Sequence, residues 1–166
     1  HFNEGHALLA GFELMREEME RGRSFEEAWG ISREKIVFTT HTPVVQGNES
    51  HPIDRLEYMS ANLNLNREQL ERLGGKPFNM TVGALRLSRK SNAVAQLHGV
   101  TANRMWKNVS GASEIVAITN GIHPGTWVDD AMLEAGETGK KIWKNHMKNK
   151  KALIAFVKER NGVQLD

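Results

Sequence analysis

Apolar residues recur at helical spacing near the start of the chain. Leu8, Phe12, Met15 and Met19 fall on one face, and Gly22 suits the stop of a helix spanning Glu4 to Gly22. Ser24, followed three residues on by Glu27, has the form of a capping box and opens a second helix through Trp29 toward Glu34. The period then changes. Ile36 to Thr40 is a short β-prone run closed by Pro43, which predicts a strand. His41 to Pro52 is polar and rich in breakers, so it reads as a loop. Asp54 is placed to cap a helix toward Leu63, Asn66 another toward Leu73 with Gly74-Gly75 as its stop, and Asn79 a third through Leu87. Ala93 to Ala95 reads as a short buried strand, His98 to Trp106 as a helix and Ile115 to Thr119 as a strand. From Trp127 to Asn161-Gly162 the pattern is mostly helical. Three strands among so much helix predict an α/β fold with a thin sheet, its missing strands lying in sequence outside the chain.

Composition narrows the class. The chain has 166 residues, 39% hydrophobic and 25% charged, enough for one domain with a core, and no apolar run is long enough to span a bilayer. It has no cysteine, which removes disulfides and thiolate metal sites and fits a reducing, cytoplasmic setting. The net charge is +2. Six lysines fall between Lys140 and Lys151, but Trp143, Met147, Ile154 and Val157 form an apolar stripe on the other side of that helix. A solvated helix face therefore accounts for them better than a nucleic-acid patch. The chain opens on His1 with nothing resembling a signal or transit peptide, and is expected to be an internal piece of a longer polypeptide. Asn48, Asn79 and Asn108 each begin an Asn-x-Ser/Thr triplet, read as chance in the absence of a secretory signal.

Candidate chemistry concentrates where strands end. Thr39-Thr40-His41-Thr42-Pro43 holds a histidine at the carboxyl end of one strand. Ile115 to Pro124, with Asn120, Gly121 and His123, repeats that design at another. In open α/β sheets ligands bind in the crevice beyond those ends, and hydroxyl, amide and imidazole groups there suit a polyhydroxylated ligand. Asn3, Glu4 and His6 at a helix N-terminus either present polar groups to a ligand or merely cap the helix. His1 and His6 are five apart, the wrong spacing for a helical zinc site, so no metal is expected. Gly74-Gly75-Lys76 lacks the rest of a phosphate loop. Trp127 reads as core packing or as an aromatic wall of the crevice, and His98 as a satisfied structural histidine.

Four segments taken together, Asn3-Glu4-Gly5-His6-Ala7, Thr39 to Pro43, Leu97-His98-Gly99-Val100 with Met105-Trp106, and Thr119 to Trp127, closely resemble the α-glucan (glycogen, starch, maltodextrin) phosphorylases. The resemblance covers nearly the whole chain in the family's order. It implies a GT-B fold of two Rossmann-like domains. Residues 1–121 would belong to the first, and 122–166 to a crossover segment and helices leading into the second. The implied activity is phosphorolysis of terminal α-1,4-linked glucose by orthophosphate to glucose 1-phosphate, with retention and with pyridoxal 5'-phosphate as cofactor. His41 would act at the reacting glucose, with Asn120 sharing the 6-hydroxyl. Asn3, Glu4, His6, Thr42 and Glu49 would line the pocket, and Trp127 would stand beside the cofactor. Glu4-Gly5 and Gly125-Thr126 replace the Asp-Thr and paired arginines of animal and plant enzymes, which points to the shorter bacterial and archaeal branch. The cofactor lysine would lie after Asp166 and the glycine-rich phosphate loop before His1. The piece alone is therefore expected to be inactive, to bind neither cofactor nor glucan, and to self-associate through surfaces that truncation exposes. The alternatives are another GT-B enzyme using a nucleotide-sugar donor and a non-catalytic carbohydrate-binding module.

Overall fold

A computed structural model describes residues 1–165. It contains two compact units, His1–Asn120 and a second from Gly121 onward. The first begins with strand β1 (Phe2–Asn3) and a 3-10 segment, Gly5–Leu8, that runs into α1 (Leu9–Glu20). Helix α2 (Phe25–Lys35) opens with the expected capping box: the Ser24 hydroxyl accepts from the Glu27 amide while the Glu27 carboxylate accepts from the Ser24 amide. Then come β2 (Val37–Thr40), β3 (Ser50–His51), α3 (Ile53–Tyr58), α4 (Arg67–Gly74), β4 (Phe78–Asn79), α5 (Met80–Arg86), β5 (Lys90–Ala93), α6 (Gln96–Trp106) and β6 (Ile115–Ala117).

Strands β1, β2, β5 and β6 form a parallel sheet in that order, and β3 pairs antiparallel with β4. The register aligns Phe2, Phe38, Ser91 and Ile115 in one row, all buried. Asn3, Thr39, Asn92 and Val116 form the next row, which the pleat turns to the opposite face. Phe2 packs against Gly11 of α1, and Ala117, on the Ile115 face, lies under Gly99 of α6. Helices α1 and α6 thus share one face. Strand order explains this, because right-handed crossovers that always step to the same side leave their helices on one side. The polar row occupies the other face.

The core sits under the helices. Phe12, Phe38, Phe78, Leu8 and Met15 are fully buried, and Phe12 meets Phe78 edge to face with ring centres 5.8 Å apart. Glu18, also buried, is held by Lys35 at 3.0 Å, Arg21 at 2.8 Å and Arg23 at 3.2 Å. The hydrogen bond from Lys35 and the surrounding positive charge keep its carboxyl below the ordinary range.

Several boundaries differ from expectation. Asp54 does not cap α3: Pro52 occupies that position, and Asp54 lies in the first turn, paired with Arg67. The helix ends at Tyr58 rather than near Leu63, since Ser60, Leu63 and Asn64 adopt left-handed backbone conformations. Strand β5 begins at Lys90, three residues before the apolar run, because pairing with β2 decides its extent. Four strands, not the expected three, make the parallel sheet; β1, at two residues, is too short to show an alternating pattern. The segment His41 to Pro52 is not all loop, as it contains β3.

The second unit contains α7 (Pro124–Trp127), α8 (Asp130–Glu134), capped by Asp129, and α9 (Gly139–Asn161), which stops at left-handed Gly162. The Asn145 amide donates to the Ala131 carbonyl at 2.6 Å, tying α9 to α8. Met147, Ile154 and Val157 are half-buried, whereas Trp143 and Trp127 are largely exposed. Trp127 is therefore not a core residue of its unit. No helix among the described residues is long and apolar enough to cross a membrane.

Candidate functional site

Beyond the carboxyl ends of β1 and β2 four of the polar residues singled out in the sequence, Asn3, Glu4, His41 and Thr42, form one connected cluster. The His41 ring Nε2 lies 2.6 Å from Asn3 Oδ1. That oxygen is an acceptor, so in the neutral ring Nε2 carries the proton and Nδ1 is left as an acceptor. The Glu4 carboxylate accepts from the His41 backbone N–H at 2.7 Å, from the Thr42 hydroxyl at 3.0 Å and from the Gly5 N–H at 3.2 Å. Asn3, Glu4, His41 and Thr42 are thus joined by hydrogen bonds across 38 or so residues of intervening chain.

Glu4 also faces a small cavity of about 50 Å³ that it shares with His6 and Glu49. A space of that size holds one or two waters and not a sugar. Next to it a more apolar cavity of about 300 Å³ is lined by His6, Leu9, Glu49, His51 and Met80. The Glu49 side chain is exposed, 3.4 Å from the His51 ring. Its backbone carbonyl accepts from Met80 N–H at 2.9 Å, and Asn48 is buried, bonded to Thr81 and to the Val44 carbonyl. These bonds fix the loop that carries Glu49 against α5.

Asn120 stands at the same edge of the sheet. Backbone pairing runs on past β6, with Ile118 N–H donating to the Ala93 carbonyl and Asn120 N–H to the Val94 carbonyl at 3.0 Å. β5 lies between β2 and β6, so Asn120 and His41 stand two strands apart, more than about 10 Å. They flank the crevice without touching. Trp127 lies in the second unit, 81% exposed.

One expected contributor falls out, and one histidine read as structural is only partly satisfied. Thr40 points into the helix side, fully buried, with no partner for its hydroxyl among the described residues. His98 is buried and accepts from Val94 N–H through Nδ1 at 3.3 Å, but its Nε2 has no partner among the described residues, so it is only half satisfied. Asn92 carries no signal in the sequence, and His1 enters there only as a rejected metal ligand. The Thr39 hydroxyl donates to Asn92 Oδ1 at 2.7 Å and lies 2.7 Å from His1 Nε2, extending the polar row across β5. An Asn inside a strand carries no local signal; only register, with Thr39 opposite Asn92, reveals it.

A larger cavity, about 540 Å³, lies elsewhere and is lined by Trp29, Arg33, Arg72 and Arg86. Its arginines are occupied in tying elements together. Arg86, whose charged form burial disfavours, donates to the Ser110, Arg72 and Leu73 carbonyls. Arg33 donates to the Gly111 carbonyl and Arg72 pairs with Glu26.

The chain is similar in sequence to proteins of known name. The chain is 32% identical, over 96% of its length, to the maltodextrin phosphorylase of Thermococcus litoralis. It is 32% identical, over 82%, to the glycogen phosphorylase of Mycobacterium tuberculosis. It is 40% identical, over 82%, to an uncharacterized protein of Methanocaldococcus jannaschii. No protein-family model matches it. The chain is phosphorylase-related in sequence, and it spans 23%, 18% and 25% of the lengths of these three relatives.

Proposed function

We propose that this chain supplies part of the glucose-binding wall of an α-1,4-glucan phosphorylase, an enzyme that transfers terminal glucose to orthophosphate and releases glucose 1-phosphate with retention. The observation that carries the reading is the bonded set Asn3–His41–Glu4–Thr42 at the carboxyl edge of a parallel sheet, in a chain whose named relatives are phosphorylases. In this reading the fold is part of a GT-B pair of Rossmann-like domains, with residues 1–121 closing the first domain and 122–166 crossing toward the second.

His41 offers the glucose a ring Nδ1 lone pair, its orientation fixed through Nε2 by Asn3. Asn120, exposed on the far side of the crevice, supplies an amide that donates and accepts. Both suit the 6-hydroxyl of a hexose. The His41 carbonyl, held by its neighbours, provides a fixed dipole for positive charge developing at the reacting carbon. Thr42, His6 and Glu49 line the adjoining space.

Pyridoxal phosphate, which this class of enzyme uses, needs a lysine for its Schiff base. None stands in the cluster, and Lys90, the one lysine on the parallel sheet, enters β5 at its amino end, away from the site. The residues here do not by themselves fit the cofactor, so the lysine and the phosphate-binding groups must come from other parts of the polypeptide, with Trp127 beside the cofactor. The whole polypeptide, given maltodextrin and orthophosphate, should release glucose 1-phosphate. His41→Ala should lower kcat by about 100-fold. Release without dependence on phosphate would contradict the assignment.

A further inference from the structure

We infer that Glu4 is a positioning residue, a carboxylate that replaces the next rung of the β1–β2 ladder and so fixes the backbone of His41; the inference rests on the phosphorylase reading. The ladder itself supplies the argument. With Asn3 opposite Thr39, Glu4 N–H donates to the Thr39 carbonyl at 2.9 Å, as parallel pairing requires. The following rung would take His41 N–H to the Glu4 carbonyl. It does not form, because that carbonyl turns away to accept from Ala7 N–H at 3.2 Å. The side chain of the same residue takes its place, and His41 N–H donates to Glu4 Oε2 at 2.7 Å.

The same oxygen receives the Thr42 hydroxyl at 3.0 Å. The carboxylate therefore holds the chain on both sides of the His41 carbonyl. Glu4 reaches this pose with φ 78° and ψ 166°, a conformation that glycine adopts freely and other residues keep only when their surroundings compel it. A residue needed only to line a pocket would not require that backbone. A carboxylate that must turn back toward its neighbouring strand does. Its oxygens are committed to protein donors, which makes a direct role in binding glucan secondary.

The test uses the whole polypeptide. In Glu4→Gln the neutral amide presents a single acceptor, and in Glu4→Gly the backbone keeps its conformation with no acceptor at all. Both should lower kcat by about 100-fold, with KM for maltodextrin moving less than about threefold, since a small misplacement of the reacting groups costs rate more than binding. Glu4→Gly should melt no lower than the parent, and Glu4→Asp should recover part of the lost rate. The His41 amide proton should resonate downfield in the parent and shift upfield in Glu4→Gln. Variants that lose stability while keeping kcat would make Glu4 merely structural and overturn the inference, as would an unshifted His41 amide. If the parent itself releases no glucose 1-phosphate, the phosphorylase reading fails, and the amide resonance still decides whether the clamp exists.

Discussion

Asn3 decides which nitrogen of His41 is offered to a ligand. With Oδ1 accepting from Nε2, the ring presents a lone pair at Nδ1, and an amide or hydroxyl at residue 3 is enough to hold it so. Asn3→Leu should release the ring and lower kcat of the whole polypeptide by roughly tenfold, because a ring free to turn is misplaced for part of the time. Asn3→Ser should recover part of that loss, and steady-state kinetics on maltodextrin would show it. Glu18 makes a prediction of another kind. Its folded-state carboxyl lies below the ordinary range, chiefly through the hydrogen bond from Lys35. The stability it contributes is present above the unfolded value, about 4.3, and is lost as pH falls through the lower folded value. Glu18→Gln should flatten the acid limb of a melting-temperature profile below about pH 4.3 and leave its shape above pH 6 unchanged.

Among the elements, the side-chain-capped helix starts are legible in the sequence, Asp54 excepted, whereas the shortest strands are not. Ser24 with Glu27, Asn66 and Asn79 cap α2, α4 and α5 as their local chemistry dictates, since a cap is a contact between residues three apart. Asn66→Ala should cost about 1 kcal/mol in chemical denaturation. Strand β5 shows why the sheet was harder to read: Lys90, Ser91 and Asn92 have little strand character, and Ser91 is buried because its hydroxyl meets that of Ser113. That stabilisation comes from positions far along the chain. The same holds for Asn92, and for β1, whose two residues gain meaning only opposite Phe38 and Thr39. The site divides in the same way. His41, Asn3, Glu4 and Thr42 could be picked from motifs, but the bonds that join them depend on β1 lying beside β2. Gly74 gives a further check on packing, because the Phe78 ring lies against its Cα. Gly74→Ala should destabilise by about 1–3 kcal/mol through overpacking.

At the scale of the whole molecule, the candidate site lies open, with His41 and Asn120 both exposed. The cavity beside Glu4 holds little more than water. The 166 residues alone should therefore show no binding of maltoheptaose by calorimetry, and no absorbance from added pyridoxal phosphate in a specific site. Saturable glucan binding by the isolated chain would favour a carbohydrate-binding module instead. The central claim, that His41 and its bonded neighbours serve phosphorolysis of α-1,4-glucan, meets its most direct test in one assay. Glucose 1-phosphate release from maltodextrin would be followed in the whole polypeptide and in its His41→Ala form. Phosphate-dependent release that falls about 100-fold in the variant is the predicted result; equal rates in the two proteins, or none in either, would contradict it.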